Sequence, residues 1–150
     1  MIIVGYQGIG KTSLAAWYDQ CIDLESSNFF VDGVRPENWH VMYCKTAISL
    51  STQGYYVFMS SHKVVRDYLA EHCPPEDLML IYPCRSLKDQ WIKKLKTRFD
   101  ITGLDKDYRA WKNAEECYES NIRELSEQQG FARLALTGMN YQLKSYFDLD

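Results

Sequence analysis

The sequence has no pair of cysteines at metal-binding spacing and no long hydrophobic run. Its 150 residues include five cysteines, which are far apart and form no CxxC motif. An odd number of scattered cysteines argues against a zinc site or a disulfide framework and is typical of reduced thiols in a cytoplasmic protein. No segment approaches the roughly 18 apolar residues of a membrane-spanning helix. We therefore expect a cytoplasmic protein without membrane contact.

Neither sign of charge dominates the chain, and it contains no internal repeat or low-complexity tract. Lysine and arginine total 17 and aspartate and glutamate 20, so the formal net charge is -3. This balance makes nucleic acid a disfavoured partner, because proteins that wrap duplexes carry a basic field. The length fits one compact domain over residues 1–150. The sequence leaves open whether this domain forms a homodimer.

Short apolar runs alternate with longer polar stretches along the whole chain. The apolar runs predict strands at residues 2–4, 21–24, 55–59, 78–82 and 131–136. The stretches between and after them predict helices at residues 11–20, 36–52, 62–72, 86–98, 106–128 and 140–147. Such alternation predicts a three-layer α/β/α fold, a parallel sheet with helices on both faces and right-handed crossovers.

A complete phosphate-binding motif, GxxxxGK[ST], covers residues 5–12. It directly follows the first predicted strand and opens the first helix, as its mechanics require. Glycines let backbone N–H groups turn toward phosphate oxygens. The lysine reaches the β- and γ-phosphates, and the threonine hydroxyl ligates Mg²⁺. The predicted nucleotide-binding residues here are Gly5, Gly8, Ile9, Gly10, Lys11, Thr12 and Ser13.

Two motifs of the larger P-loop classes are missing. The NKxD base-recognition motif of GTPases is absent. Motor-type ATPases carry an acid after an apolar strand, whereas the best strand here ends in Met59-Ser60-Ser61-His62. Ser60 and Ser61 either hold a metal-bound water or cap the next helix. These absences leave the small nucleoside and nucleotide kinases as the favoured class.

Four features resemble the adenylate-kinase-like group of P-loop kinases. They are the loop at residues 5–12, the acidic second strand Asp23-Leu24-Glu25, a basic segment after the fourth strand, and Thr137-Gly138 after the last strand. The resemblance implies the strand order 2-3-1-4-5 and a mobile helical lid at about residues 85–105. It also implies transfer of the γ-phosphoryl group of ATP to a small acceptor, with ATP and Mg²⁺ as cofactors.

The nearest carboxylates to the loop are those of the second strand. Strand alternation points Asp23 and Glu25 to the same face, and the carboxyl end of this strand should lie near the phosphates. In kinases of this type an acid here helps to hold Mg²⁺ or orients the acceptor, so we predict both residues as catalytic and Asp23 as a metal helper beside Thr12. The alternative is that they are solvated charges at the end of a strand.

The basic segment supplies the predicted lid cations. In lid kinases such cations close over the transferring phosphoryl group and offset its charge. The alternative is a solvated helix face on a helix packed by Leu87, Trp91 and Leu95. The predicted phosphate-contacting cations are Arg85, Lys88, Lys94 and Arg98.

The resemblance also implies sites for the acceptor and for the adenine base. Ser26, Arg35 and Trp39 follow the second strand, where acceptors bind: Arg35 pairs with an acceptor phosphate and Trp39 stacks on a base. The alternative is a surface arginine and a core tryptophan. Thr137 and Gly138 would border the adenine.

The expected activity is that of a small-molecule kinase. It would transfer phosphate from Mg²⁺-bound ATP to a nucleoside monophosphate or a nucleoside. Two other functions stay open. One is a regulatory nucleotide-binding protein that lost the chemistry, which the missing acid after the third strand favours. The other is a small NTP hydrolase.

Overall fold

A computed structural model describes residues 1–149. Its centre is a five-stranded, all-parallel sheet in the order β2-β3-β1-β4-β5. The fold class and the strand order that the sequence predicted are both confirmed. The strands are β1 (Ile2–Gly5), β2 (Cys21–Asp23), β3 (Tyr56–Met59), β4 (Leu78–Pro83) and β5 (Ala132–Leu136).

Five α-helices connect the strands, and three of them have an end that differs from the prediction by three residues or more. Helix α1 ends three residues early at Trp17, and α4 extends to Thr102. Helix α2 begins at Trp39 rather than Pro36, because a turn closed by the Trp39 N–H on the Pro36 carbonyl precedes it. The helices are α1 (Lys11–Trp17), α2 (Trp39–Thr52), α3 (Lys63–His72), α4 (Lys88–Thr102) and α5 (Asp105–Ser126).

The predicted C-terminal helix at residues 140–147 is wrong. Only a 3₁₀ turn forms there, at Leu143–Tyr146. The surrounding residues instead pack one by one onto the rest of the protein: Phe147 contacts Tyr56 and Phe58, with ring centroids 5.3 and 5.5 Å apart. We call residues 139–149 the C-terminal segment.

The connections divide the helices between the two faces of the sheet. The β1-to-β2 connection runs across the sheet in the opposite direction to all the others, so right-handed crossovers put α1 on one face and α2, α3 and α5 on the other. Packing agrees with this division, since α2 contacts α3 and Arg66 of α3 bonds to Glu124 of α5. The C-terminal segment lies on the α1 face, where Leu143 approaches Gly10.

The central strands are the most buried part of the molecule. β1 has every residue buried, and β3 and β4 each have all but one. Their carboxyl ends lie at one edge of the sheet, where Val4 pairs with Met59 on one side and Leu80 on the other. The P-loop begins at this edge.

One side of the segment predicted as a lid is built into the core. Trp91 and Leu95 of α4 are completely or almost completely buried, and α4 forms a helical hairpin with α5 around Gly103, whose left-handed φ of 64° closes α4. Trp91 and Leu95, which the sequence predicted to pack, anchor one side of α4 in the core. Only the other side of this helix can therefore face a nucleotide.

No helix within residues 1–149 is long and apolar enough to cross a membrane.

Candidate functional site

The P-loop has the backbone shape that its glycines allow. Gly8 and Gly10 have φ values of 91° and 107°, a left-handed region that side chains disfavour. At Gly5, a Cβ atom would lie 2.3 Å from Cδ1 of Ile9, so a larger residue there would force that buried side chain to shift. The loop therefore folds tightly back over its own first residue.

The inner side of the loop presents unpaired amides. No side chain caps the N-terminus of α1. Within residues 1–149, no carbonyl or side chain accepts a hydrogen bond from the N–H groups of Gly8, Gly10, Lys11, Thr12 and Ser13. Such a group of convergent donors fits the oxygens of a polyphosphate.

The outer side of the loop is held by distant parts of the chain. The indole N–H of Trp91 donates to the Gln7 carbonyl at 2.9 Å, and the Tyr141 hydroxyl donates to the Ile9 carbonyl at 2.8 Å. The Gln7 side chain in turn donates to the Ala110 carbonyl of α5 at 3.0 Å. These bonds keep the loop carbonyls turned outward and leave the amides facing in.

Lys11 lies at the centre of the site. Its Nζ donates to the Gly5 carbonyl at 2.7 Å and approaches the Met59 carbonyl at 3.4 Å. Burial lowers the pKa of Lys11 to about 8, although the carboxylates of Asp23 and Glu25 oppose the shift. A phosphate would raise the pKa of Lys11 again, because it places negative charge beside the ammonium.

The two groups predicted to hold Mg²⁺ meet at the end of β2. Thr12 Oγ1 donates to Asp23 Oδ2 at 2.6 Å. No group of three or more His, Cys, Asp or Glu side chains in the described part of the chain forms a metal-binding cluster. Mg²⁺ in nucleotide sites commonly takes one or two protein oxygens and completes its shell with phosphate and water. The Thr12–Asp23 pair fits that donor set.

The ends of β2 and β3 are joined by one tyrosine. The Tyr43 hydroxyl donates to the Leu24 carbonyl and accepts from the Ser60 N–H, both at 2.8 Å. Ser60 Oγ lies 2.8 Å from His62 Nδ1. Neither Ser60 nor Ser61 caps α3, since His62 is the capping residue and no side chain bonds to the first turn. The predicted serine cap is therefore wrong.

The imidazole of His62, beside Ser60, is uncharged at neutral pH. Burial, followed by the positive charges of Arg35, Lys11 and Arg66, lowers the pKa of His62 to about 4. Arg35 Nη2 faces His62 Nε2 at 3.5 Å, so that nitrogen must accept and Nδ1 carries the proton toward Ser60. The Ser60 hydroxyl proton is then available to a ligand.

Arg35 and Trp39, the predicted acceptor residues, lie together. The Arg35 guanidinium stands 4.5 Å from the ring centroid of Trp39. Trp39 is only 6% exposed, and it packs on Tyr43 and His62. Its ring is a platform for Arg35, which keeps the exposed guanidinium near the ends of β2 and β3. Base stacking by Trp39 stays a prediction, as does acceptor contact by Ser26, which begins a short 3₁₀ turn.

An open cleft of about 1100 Å³ lies on the α1 side of Lys11, which we call the P-loop cleft. Lys94 and Arg98 of α4 line it opposite the loop. Lys94 Nζ donates to the Tyr141 hydroxyl at 2.9 Å, and burial followed by Arg98 lowers the pKa of Lys94. Arg98 pairs with the buried Asp107 at 2.9 Å.

The two other predicted lid cations and the two residues predicted to border the adenine lie outside this cleft. Arg85 is exposed in a 3₁₀ turn, and Lys88 pairs with Glu119 of α5 at 3.3 Å. Thr137 and Gly138 are exposed, and residues 139 and 141–144 of the C-terminal segment line the cleft instead. The structure therefore does not bring Thr137 and Gly138 to the cleft, where the sequence predicted a border for adenine.

A second, smaller cavity of about 380 Å³ lies on the other side of Lys11, and we call it the α5-side pocket. It is lined by Tyr6 and Gln7 of the loop, by residues 60–63 after β3, and by side chains of α3 and α5. Lys11 lines both cavities.

Several residues of this site escaped prediction from the sequence. Tyr43, Trp91 and Tyr141 act through hydrogen bonds to partners 17 to 132 residues away in the chain, and no local pattern marks them. The one available signal was the unusual number of tyrosines, 11 in 150 residues.

In comparisons with known proteins, no family model, no curated protein and no solved structure matched the chain.

Proposed function

We propose that the protein transfers the γ-phosphoryl group of Mg²⁺-bound ATP to a small acceptor, a nucleoside or a nucleoside monophosphate. The observation that carries this proposal is the position of Lys11, which lines both the P-loop cleft and the α5-side pocket. A site for two ligands with a shared cation between them suits transfer between a donor and an acceptor.

The roles follow from the contacts of each residue. The loop amides and Lys11 hold the donor phosphates, and Thr12 with Asp23 would hold Mg²⁺, which withdraws charge from the phosphates when it is bound. Asp23 or Glu25 takes the proton from the acceptor hydroxyl. The acceptor oxygen then bonds to the γ-phosphorus while the bond to the bridging oxygen breaks, and ADP leaves with that oxygen. Lys94 and Arg98 offset the charge on the phosphates.

Two other functions are candidates. No carboxylate follows β3, where Ser60 and His62 stand instead, and this favours a regulatory protein that binds the nucleotide without transfer. A nucleotide hydrolase would need the same phosphate site but no acceptor pocket.

A labelled-phosphate assay separates the three functions. The protein is incubated with γ-labelled ATP, Mg²⁺ and pools of nucleosides, nucleoside monophosphates and sugars. We expect label in one pooled acceptor. Release of inorganic phosphate alone would favour the hydrolase. ATP binding with neither product would contradict both enzymes and leave the regulatory protein.

A further inference from the structure

The most exposed large hydrophobic side chain among the described residues lies in the P-loop cleft. Trp17, the last residue of α1, is 84% exposed, and it lines this cleft. Among the residues of α1, Leu14 alone is buried, so the helix packs on the sheet without help from the indole. An apolar side chain of this size costs free energy when it is left in water. Packing within the described chain therefore does not explain a tryptophan at this position.

The helix places the indole beside the phosphate site. Trp17 lies one turn after Ser13, and residues four apart share a helix face. It follows Lys11 by six positions, which is about 9 Å along the axis at about 1.5 Å per residue. The ribose and the inner phosphate of an extended nucleotide span a comparable length. A nucleotide whose outer phosphates lie at Lys11 can therefore bring its base to Trp17.

The surroundings of Trp17 suit an apolar ring that is attached to phosphates. Leu104, directly after the turn between α4 and α5, lines the cleft and is 49% exposed. Met139, which is half-buried, lines it as well. Lys94 and Arg98 line the same cleft. Cations and exposed apolar side chains in one cleft match a ligand that combines negative charge with a flat apolar face, as a nucleotide does.

The well-held polar side chains of the cleft are engaged within the protein. The Thr102 hydroxyl donates to Asp107, and the Tyr141 hydroxyl donates to the Ile9 carbonyl. Among the described residues that line the cleft, Gln142 is the only one with a side-chain amide, and it is exposed. An amide can turn either its donor or its acceptor toward a base. Its presence therefore does not select one base edge.

We propose that Trp17 forms the nucleobase subsite of the P-loop cleft, where its indole stacks on the purine ring of the donor nucleotide. The inference rests on the proposed function where it calls this nucleotide the donor. Stacking depends on the area of a base rather than on the hydrogen-bonding groups at its edge. Adenine and guanine are therefore accepted alike, and the smaller pyrimidines are bound less well. The donor specificity is then for a purine triphosphate rather than for ATP.

Calorimetry with ligands that have or lack a base tests this subsite. Wild-type protein and Trp17→Ala are titrated, with Mg²⁺ present, with non-hydrolysable analogues of ATP, GTP and CTP and with inorganic tripolyphosphate. Trp17→Ala should weaken binding of both purine analogues about tenfold, which is the effect of losing one stacked base. It should leave the affinity for tripolyphosphate unchanged, because this probe has no base. In the wild type, the two purine analogues should bind within about threefold of each other and more tightly than the CTP analogue.

Two further variants make the test specific to stacking. Trp17→Phe keeps an aromatic face and should bind the purine analogues within about threefold of the wild type. The ATP analogue should quench the fluorescence of the wild type and not that of Trp17→Phe, because no other tryptophan of the described chain lines the cleft. Ile101→Ala is the matched control: its side chain is 80% exposed but lies outside the cleft lining, so every probe should bind as it does to the wild type.

Several outcomes would overturn the subsite. They are an equal loss of affinity for tripolyphosphate in Trp17→Ala, unchanged purine affinity in that variant, tighter binding of the CTP analogue, or a preference of more than about tenfold for one purine. Sedimentation identifies another occupant. A dimer that Trp17→Ala dissociates, with unchanged nucleotide affinity, would show that a second copy of the chain covers the indole instead.

The subsite and the kinase can fail separately. Trp17-dependent binding of purine triphosphates without phosphoryl transfer to any acceptor would support the subsite and overturn the kinase. Phosphoryl transfer by Trp17→Ala with an unchanged KM for ATP would overturn the subsite and leave the kinase in place.

Discussion

The two cavities share one lysine, but their other charges differ. The P-loop cleft is lined by four further cations, Lys94, Arg98, Lys106 and Lys144, against the single carboxylate of Asp107. In the α5-side pocket, the cations other than Lys11 are paired, and the remaining polar lining consists of amide and hydroxyl groups, the His62 imidazole and the carboxylate of Glu124. A polyphosphate gains from the first environment and would find little in the second. The difference therefore suggests which ligand enters from which side.

The largest effect should come from the residue that both cavities share. We expect Lys11→Ala to weaken binding of an ATP analogue by more than about 100-fold, because it removes charge-assisted hydrogen bonds to two phosphates. Calorimetry measures this affinity, and Lys45→Ala on the exposed side of α2 is the control. Unchanged binding in the Lys11 variant would contradict the phosphate site itself.

Asp23→Asn should separate chemistry from binding. The amide oxygen can still accept the hydrogen bond from Thr12, so the affinity for ATP should stay within about threefold. Transfer should slow by about 100-fold, the lower range for loss of a catalytic base. Asp19→Asn, exposed after α1, should behave as the wild type. Full transfer by the Asp23 variant would remove this residue from the mechanism.

The Lys94→Met variant tests whether the two cavities bind their ligands independently. The methionine keeps the packing against Trp91 and Tyr141 and removes the charge, so we expect the ATP analogue to bind about tenfold less tightly. The affinity for the acceptor should not change, because Lys94 lines the P-loop cleft and does not line the α5-side pocket. Lys93→Met, its exposed neighbour, serves as the control. An equal loss for both ligands would show that the two cavities are not independent.

The smallest effect is expected from pH. The pKa of Lys11 is lowered by burial to about 8, and phosphate binds the protonated amine. Raising the pH through 8 therefore removes the binding form, and affinity for the ATP analogue should fall about fivefold between pH 8 and pH 9. Titrations at several pH values in the wild type and in Lys11→Ala measure the change. The same slope in both proteins would assign the titration to another group.

Residues 5–12 and the strand pattern were readable from the sequence because their physics is local. Glycine spacing determines where the backbone can turn, and unbroken apolar runs such as residues 55–59 mark strands that are buried on both faces. Together with the family resemblance, these signals predicted the parallel sheet and its strand order. They also predicted that Thr12 and Asp23 would come together, which depends on the carboxyl ends of the parallel strands lying at the same edge of the sheet.

The rest of the site depends on contacts that the sequence does not encode locally. Lys88 and Lys94 look equivalent in the basic segment, yet one pairs with Glu119 and the other bonds to Tyr141. Which cation faces the cleft is decided by how α4 rotates to bury Trp91 and Leu95. The prediction of a helix in the C-terminal segment failed for a similar reason, because the contacts of this segment with β3 and with the loop override its local helix propensity.

The hydrogen bond from Tyr141 to the P-loop has a consequence for how the loop folds during synthesis. Tyr141 is made 132 residues after Ile9, the residue whose carbonyl it binds. Until then the nascent chain carries the glycine-rich motif without one of the side chains that hold its carbonyls. We therefore expect a ribosome-stalled fragment that ends before Tyr141 to contain the motif without its ordered loop.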